Sequence, residues 1–262
     1  MRGMRARLLT CVVLILAGAG CSESRPPAQL APAQRVTPSE SPAPLVGTQS
    51  LGDFGPPDFK SGGIAVSTKR KSLEVWRGPR GSSPSSSITT RNPAGQRLYF
   101  LVLAARRTTD GTRWAKILVP KRPNGSTGWV RLDSVELSQG QHRIEVDLSA
   151  FTIRVFRNGR LVHRFEVGIG QPQNPTPTGV FFSWALLKAP DPRGPYGNYA
   201  IGLSGFSPVL SDWPGGGRAA VHGTADPSDR GRKVSHGCVR VFNKDMRKLR
   251  TLPLGTPVII HK

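Results

Sequence analysis

A strict two-residue alternation recurs through the second half of this chain, and it constrains the fold more than any other feature. His142-Arg-Ile-Glu-Val-Asp-Leu148 puts every other side chain on one face, and Phe151-Thr-Ile-Arg-Val-Phe156 repeats the pattern. Asn158-Gly159 then separates the second run from Arg160-Leu-Val-His-Arg-Phe165. Asn-Gly accepts positive φ at both central positions of a tight turn, so a hairpin is predicted here. Further strands are expected at Gly179–Trp184, Ala219–His222 and Pro257–His261. Asn243-Lys-Asp-Met-Arg-Lys-Leu249 is the one short helix predicted, with Asn243 as its N-cap.

Residues 62–139 carry shorter runs of the same kind: Leu73–Trp76, Leu98–Leu103, Trp114–Val119 and Gly128–Leu132. Turn signals such as Asp110-Gly111 and Pro123-Asn-Gly-Ser-Thr-Gly128 separate them, which is the layout of a small β-barrel. The stretch Pro123-Asn-Gly-Ser-Thr-Gly-Trp-Val-Arg-Leu132 resembles bacterial SH3-like domains, in which a Gly-Trp-Val strand closes the barrel. Trp114 and Trp129 fall within strand-like runs and are read as core residues.

The amino terminus is different. Arg2, Arg5 and Arg7 precede an apolar run from Leu8 to Leu16 and small residues from Ala17 to Gly20, the layout of a secretory signal over residues 1–21. Cys11 lies inside the apolar run. Cys21 follows the small residues, where a bacterial lipoprotein signal places its lipidated cysteine, although Gly18 stands where such signals carry a Leu-like residue. An ordinary cleavable signal is the alternative. Either reading implies export to the cell envelope, and lipidation at Cys21 would tether the chain to the outer face of the cytoplasmic membrane. From Ser22 to Ser61 there are eight prolines and no apolar period, so this stretch is expected to be a disordered linker.

The formal net charge is +21, distributed as +2 over residues 1–61, +10 over 62–140 and +9 over 141–262. Both expected domains are therefore basic. Nucleic acid is disfavoured as a partner by export and by the lack of any base-reading motif. Anionic cell-wall polymers or the membrane surface suit such a charge outside the cytoplasm.

Three cysteines, one in the leader and one at its end, leave Cys238 as the lone thiol of the expected domains. It sits in Val221-His-Gly-Thr-Ala-Asp-Pro-Ser-Asp-Arg-Gly-Arg-Lys-Val-Ser-His-Gly-Cys-Val-Arg240, with His222 sixteen residues upstream. Ser, His, Gly and Arg are poor neighbours for an inert core cysteine. A nucleophilic thiol needs a base or electropositive surroundings, and these residues supply both. Gly237 beside the thiol permits close approach of a substrate to the backbone. Cys238, His236 and His222 do not complete a metal site, since no second cysteine or obvious carboxylate partner accompanies them.

At His222-Gly223-Thr224 and Ser235-His236-Gly237-Cys238-Val239-Arg240 the chain resembles the L,D-transpeptidase (YkuD-type) family. Asn174–Phe181 and Gly194–Leu203 are similar to further family segments, in family order, so the resemblance spans residues 141–262. It implies a mainly β architecture, an SH3-like β-barrel followed by a YkuD-type β-sandwich with one short helix. It also implies an enzyme that cuts the diaminopimelate–D-Ala bond of a peptidoglycan tetrapeptide stem and passes the acyl group to an amine on another stem, without metal or nucleotide. By the same resemblance Cys238 is the nucleophile and His222 the base, with the imidazole oriented by the backbone carbonyl of Gly223. His236 and Gly237 line an oxyanion pocket supported by Ser235, and Arg240 binds a carboxylate of the donor peptide. Water as acceptor would make the enzyme an L,D-carboxypeptidase, and a degenerate site would leave a wall-binding lipoprotein.

Overall fold

The computed structural model describes the strands Gln34–Arg35 and Ala43–Pro44 and residues 51–55, 57–212 and 215–262. Cys11 and Cys21, with the leader and lipidation readings that rest on them, lie outside the described residues. The described chain is mainly β with one short α-helix.

Gln34–Arg35 (β1) and Ala43–Pro44 (β2) come first. An N-terminal unit follows with Ile64–Ser67 (β3), Ser72–Val75 (β4), Ser86–Thr89 (β5), Phe100–Arg107 (β6), Arg113–Leu118 (β7), Thr127–Arg131 (β8) and Glu136–Gln139 (β9). Its main sheet has the order β2-β9-β3-β6-β7-β8, while β4 and β5 pair as a ribbon. Trp76, directly after β4, bridges to Trp129 on β8 and joins the ribbon to the sheet. Trp114 is buried, whereas Trp129 is only half-buried and has the Arg106 guanidinium 6.0 Å from its ring centroid.

The C-terminal unit contains His142–Asp147 (β10), Thr152–Arg157 (β11), Arg160–Gly170 (β12), Gly179–Lys188 (β13) and Tyr199–Phe206 (β14). Arg218–Thr224 (β15), Lys233–Ser235 (β16), Val239–Phe242 (β17), Asn243–Leu249 (α1) and Pro257–His261 (β18) complete it. Asn158 and Gly159 have φ of 48° and 78°, the pair of positive values that a two-residue hairpin turn requires. β13 changes partners along its length: Gly179–Phe182 pairs with β18, and from Ser183 onward it pairs with β14. That switch closes the path β13-β14-β15-β17-β12-β11-β10-β18 into an eight-strand barrel-like sheet. Its interior is filled by alternating aliphatic side chains such as Ile144, Val155, Val167, Val221 and Val241, with Met246 and Leu249 of α1 packed against them.

The helix begins differently from the prediction. Phe242 occupies the N-cap position without a side-chain capping bond, and Asn243 is the first helical residue. Instead of capping its own helix, Asn243 accepts from Asn198 N–H (3.0 Å) through Oδ1 and donates to the Pro192 carbonyl (2.7 Å) through Nδ2. It holds a loop rather than a helix end.

The two units share buried contacts. Phe182 of β13 lies in the N-terminal core, 6.3 Å from Phe100 between ring centroids. Gln96 donates to the Leu186 carbonyl (2.9 Å) and accepts from Leu186 N–H (3.1 Å), so it continues the ladder of β13. Arg122 donates to the carbonyls of Ser207, Leu210 and Gly216 in the β14–β15 connection.

The structure differs from the expected linker within residues 22–61. β1 pairs with β13 and β2 with β9, and Leu51, Phe54 and Phe59 pack into the N-terminal core. Phe54 also exchanges backbone hydrogen bonds with Ala105. These apolar residues follow neither a strand nor a helix period, so they leave no periodic signal, yet each still gains from burial.

Candidate active site

β15 and β17 run parallel, with Val221 opposite Val239 and His222 opposite Arg240. Val221, Val239 and Val241 point into the core. Alternation therefore sends His222 and Arg240 to the other face, together with Ala220 and the residue just before β17, Cys238. In this register Cys238 is level with Ala220 and diagonal to His222. The two side chains are therefore diagonal neighbours on one face of the ladder. The ladder thus brings together two residues separated by sixteen positions in the chain.

His222 is only 3% exposed, and its Nδ1 lies 2.9 Å from the Gly223 carbonyl oxygen. That acceptor assigns the proton to Nδ1 and leaves Nε2 as the basic nitrogen. Tyr196 packs edge-on against the imidazole, with centroids 5.2 Å apart and planes at 65°. Burial pulls the His222 pKa down to about 4, opposed by the Gly223 hydrogen bond, while Arg240 lowers it further and Asp229 raises it. Burial likewise pushes the Cys238 thiol up, partly offset by a backbone hydrogen bond from Ala220 and the nearby Arg240 charge. Both shifts disfavour the charged forms, thiolate and imidazolium.

The turn that carries the thiol is fixed by Ser235. Its hydroxyl donates to the Cys238 carbonyl (2.5 Å) and accepts from Gly237 N–H (3.1 Å). Gly237 has φ of +109°, a conformation closed to most L-residues. Its amide is held by Ser235, so the contribution of Gly237 to an oxyanion pocket is backbone shape rather than its N–H. His236 projects to the exposed side of the same turn.

Gly223 is required by crowding. A Cβ there would lie 2.3 Å from Asn243 Oδ1 and 2.8 Å from Asn198 Oδ1. The loop from Pro192 to Asn198, pinned by Asn243, lies directly on this glycine and carries Tyr196 to His222.

Arg240 donates through Nη1 to both carboxylate oxygens of Asp229, at 3.2 and 3.4 Å. Asp229 is 5% exposed and also accepts from the Thr224 hydroxyl at 2.6 Å. The residue expected to meet a substrate carboxylate therefore already holds one from its own chain. A pocket of about 440 Å³ opens beside this pair, lined by Arg193, Gly194, Pro195, Thr224, Asp229 and Arg240 among others. Sequence reasoning missed Asp229, because Asp226-Pro-Ser-Asp229 reads as an ordinary turn. It also missed Tyr196, whose only signal was its place in the Gly194–Leu203 segment.

A buried imidazole and a thiol on one face of a parallel strand pair, with the thiol on a hydroxyl-braced turn, suit cysteine-dependent acyl transfer. Comparison with known proteins narrows the class. Residues 141–260 match the family model of the L,D-transpeptidase catalytic domain, YkuD. A Bacillus licheniformis protein assigned as L,D-transpeptidase YkuD is 34% identical over 120 residues, which cover 45% of this chain and 65% of that protein. Its Bacillus subtilis counterpart is 31% identical over 122 residues, covering 46% and 66%. The chain thus spans just under two thirds of the length of each relative. A crystal structure of an Enterococcus faecium L,D-transpeptidase, a cysteine-to-serine mutant, is 26% identical with a TM-score of 0.37, covering 46% of this chain and 50% of that one. A Mycobacterium tuberculosis L,D-transpeptidase is 18% identical with a TM-score of 0.40, covering 63% and 90%. On the family match and the curated relatives, residues 141–260 are similar to the catalytic domain of YkuD-type L,D-transpeptidases.

Proposed function

We propose that this protein is a peptidoglycan L,D-transpeptidase in which Cys238 is the nucleophile and His222 its general base. The observation that carries the reading is the placement of Cys238 and His222 on one face of the β15–β17 ladder, inside the domain that matches this family. Nε2 of His222 takes the thiol proton as Sγ attacks the carbonyl carbon at the L-centre of diaminopimelate in a tetrapeptide stem. The proton then passes to the departing amine of D-Ala, leaving a thioester on Cys238. An acceptor amine from a second stem attacks the thioester and gives up its proton to His222. The 3→3 cross-link is released and the thiol recovers its proton.

The depressed imidazole and raised thiol favour this concerted route over a preformed thiolate–imidazolium pair. The oxyanion is assigned to the turn at residues 236–238, whose shape Ser235 fixes. Arg240, braced by Asp229, would bind a donor carboxylate with the guanidinium nitrogens that Asp229 does not hold. The N-terminal unit is read as an SH3-like module that supports the catalytic domain. Export, with a lipid anchor at Cys21, would place the enzyme at its substrate.

Incubation with a carbapenem tests the nucleophile. Intact mass is expected to rise by one drug molecule in the wild type and to stay unchanged in Cys238→Ala. Equal adduct in both proteins would remove Cys238 from the mechanism.

A further inference from the structure

Away from the catalytic face, the β11–β12 hairpin leaves two aliphatic side chains in solvent. Leu161 is 52% and Val162 43% exposed, two of the three large exposed hydrophobic residues among those described. Scattered exposed aliphatics need no explanation, but an adjacent pair framed by cations does. Arg157, Arg160 and Arg164 stand around them and are all exposed. Val162 also forms the rim of a second pocket, of about 210 Å³, whose charged and imidazole lining consists of His142, Arg157, His163 and Lys248.

No carboxylate lines this pocket. Glu145 and Asp147 of β10 lie on the other face by alternation and are engaged there by Arg143 and Arg154. Lys248 lines the recess beside His163, and burial, with a smaller contribution from the Lys248 charge, holds that imidazole below its ordinary value. The result is a small cationic recess with Val162 at its lip, while Leu161, opposite Phe156 in the ladder, projects from the other face of the same hairpin end.

We propose that this hairpin and recess form a docking site for an anionic lipid surface. A headgroup phosphate would enter the recess between Arg157 and Lys248, and Leu161 and Val162 would dip into the boundary below the headgroups. The two halves of the patch fit the two layers of a bilayer interface. A soluble phosphate polymer would satisfy the cations but would give the aliphatic pair no apolar phase to enter, so the lipid surface is the better match. The inference does not depend on the chemistry of Cys238.

The test uses the full chain with vesicles of phosphatidylglycerol or phosphatidylcholine, followed by sedimentation and by hydrogen–deuterium exchange. Phosphatidylglycerol vesicles should slow exchange across residues 156–165, and phosphatidylcholine vesicles should not. Arg157→Glu with Lys248→Glu should lower partition roughly five-fold or more for each charge changed, and Leu161→Ser with Val162→Ser should lower it several-fold. All four positions are exposed or half-exposed, and a soluble stem peptide should be processed by these variants as by the wild type. Equal partition of wild type and variants would place membrane contact elsewhere and overturn the proposal. Equal protection by phosphatidylcholine would remove the headgroup from it. Protection by soluble polyglycerol phosphate as strong as by vesicles would replace the lipid with a wall polymer and also overturn it.

Discussion

The Nδ1 nitrogen of His222 lies 2.9 Å from the carbonyl oxygen of Gly223, the residue that follows it. The imidazole is therefore oriented by its own backbone, and among the described residues no acidic side chain hydrogen-bonds to it. A carbonyl acceptor fixes the tautomer but stabilises an imidazolium less than a carboxylate would. Burial is the main cause of the pKa of about 4, and the Gly223 hydrogen bond offsets only part of it.

The pH dependence follows from that value. With His222 as the proposed general base, kcat/KM for a soluble stem should be level above pH 5 and fall as pH drops through about 4. Stability shifts in a neighbouring window. The folded pKa lies below the ordinary 6.5, so between pH 4 and 6.5 the unfolded chain binds the extra proton. Stability from this group is complete above pH 6.5 and is lost as pH falls through about 4. A denaturation series of the wild type and His222→Gln from pH 4 to 7 should show a steeper acid loss in the wild type.

Asp229 acts through Arg240 and Thr224 rather than on substrate. In Asp229→Asn the Arg240 charge loses its counter-ion, and since Asp229 raises the His222 pKa while Arg240 lowers it, the acid limb should move to lower pH. The folded state should lose about 1–3 kcal/mol, less than for a fully buried pair because Arg240 keeps some exposure. Asp229→Glu should recover part of the pH profile. An unchanged acid limb with reduced stability would make Asp229 purely structural.

Much of this architecture is legible in the chain because it depends on local chemistry. The hairpin at Asn158-Gly159 and the strand Pro257–His261 occur where alternation and turn residues put them. β14 was not predicted, since Tyr199–Phe206 is buried on both faces and interrupted by Gly202 and Gly205. Gly205 is needed because a Cβ there would meet the Phe181 ring at 2.2 Å, a constraint that exists only after folding. The Cys238 and His222 motifs could be seen as types and spacing. Their juxtaposition depends on the β15–β17 register, and the Asp229–Arg240 pair depends on a loop path that no local pattern encodes.

Ser235→Ala removes two hydrogen bonds that shape the turn carrying Cys238. A loss of about 1–3 kcal/mol in stability is expected, because the Gly237 amide is left buried without a partner. The acylation rate should fall more than affinity for the stem, and stopped-flow measurement of carbapenem acylation would separate the two. Ser235→Thr should retain most activity.

Gly223→Ala tests the loop that covers His222. A methyl group would meet Asn243 Oδ1 at 2.3 Å and displace the Pro192–Asn198 loop, with Tyr196 on it. Overpacking of this kind costs about 1–3 kcal/mol. The kcat/KM should fall at least tenfold, and hydrogen exchange should quicken across residues 192–198.

The most direct measurement is the product mass spectrum from a defined tetrapeptide stem with and without an acceptor amine. The wild type should release D-Ala, pass through an acyl-enzyme on Cys238 and yield the cross-linked product only when acceptor is present, while Cys238→Ala yields nothing. Tripeptide alone under both conditions would make the enzyme a carboxypeptidase. Unchanged turnover by Cys238→Ala, or none by the wild type, would contradict the assignment of Cys238 as the nucleophile of an L,D-transpeptidase.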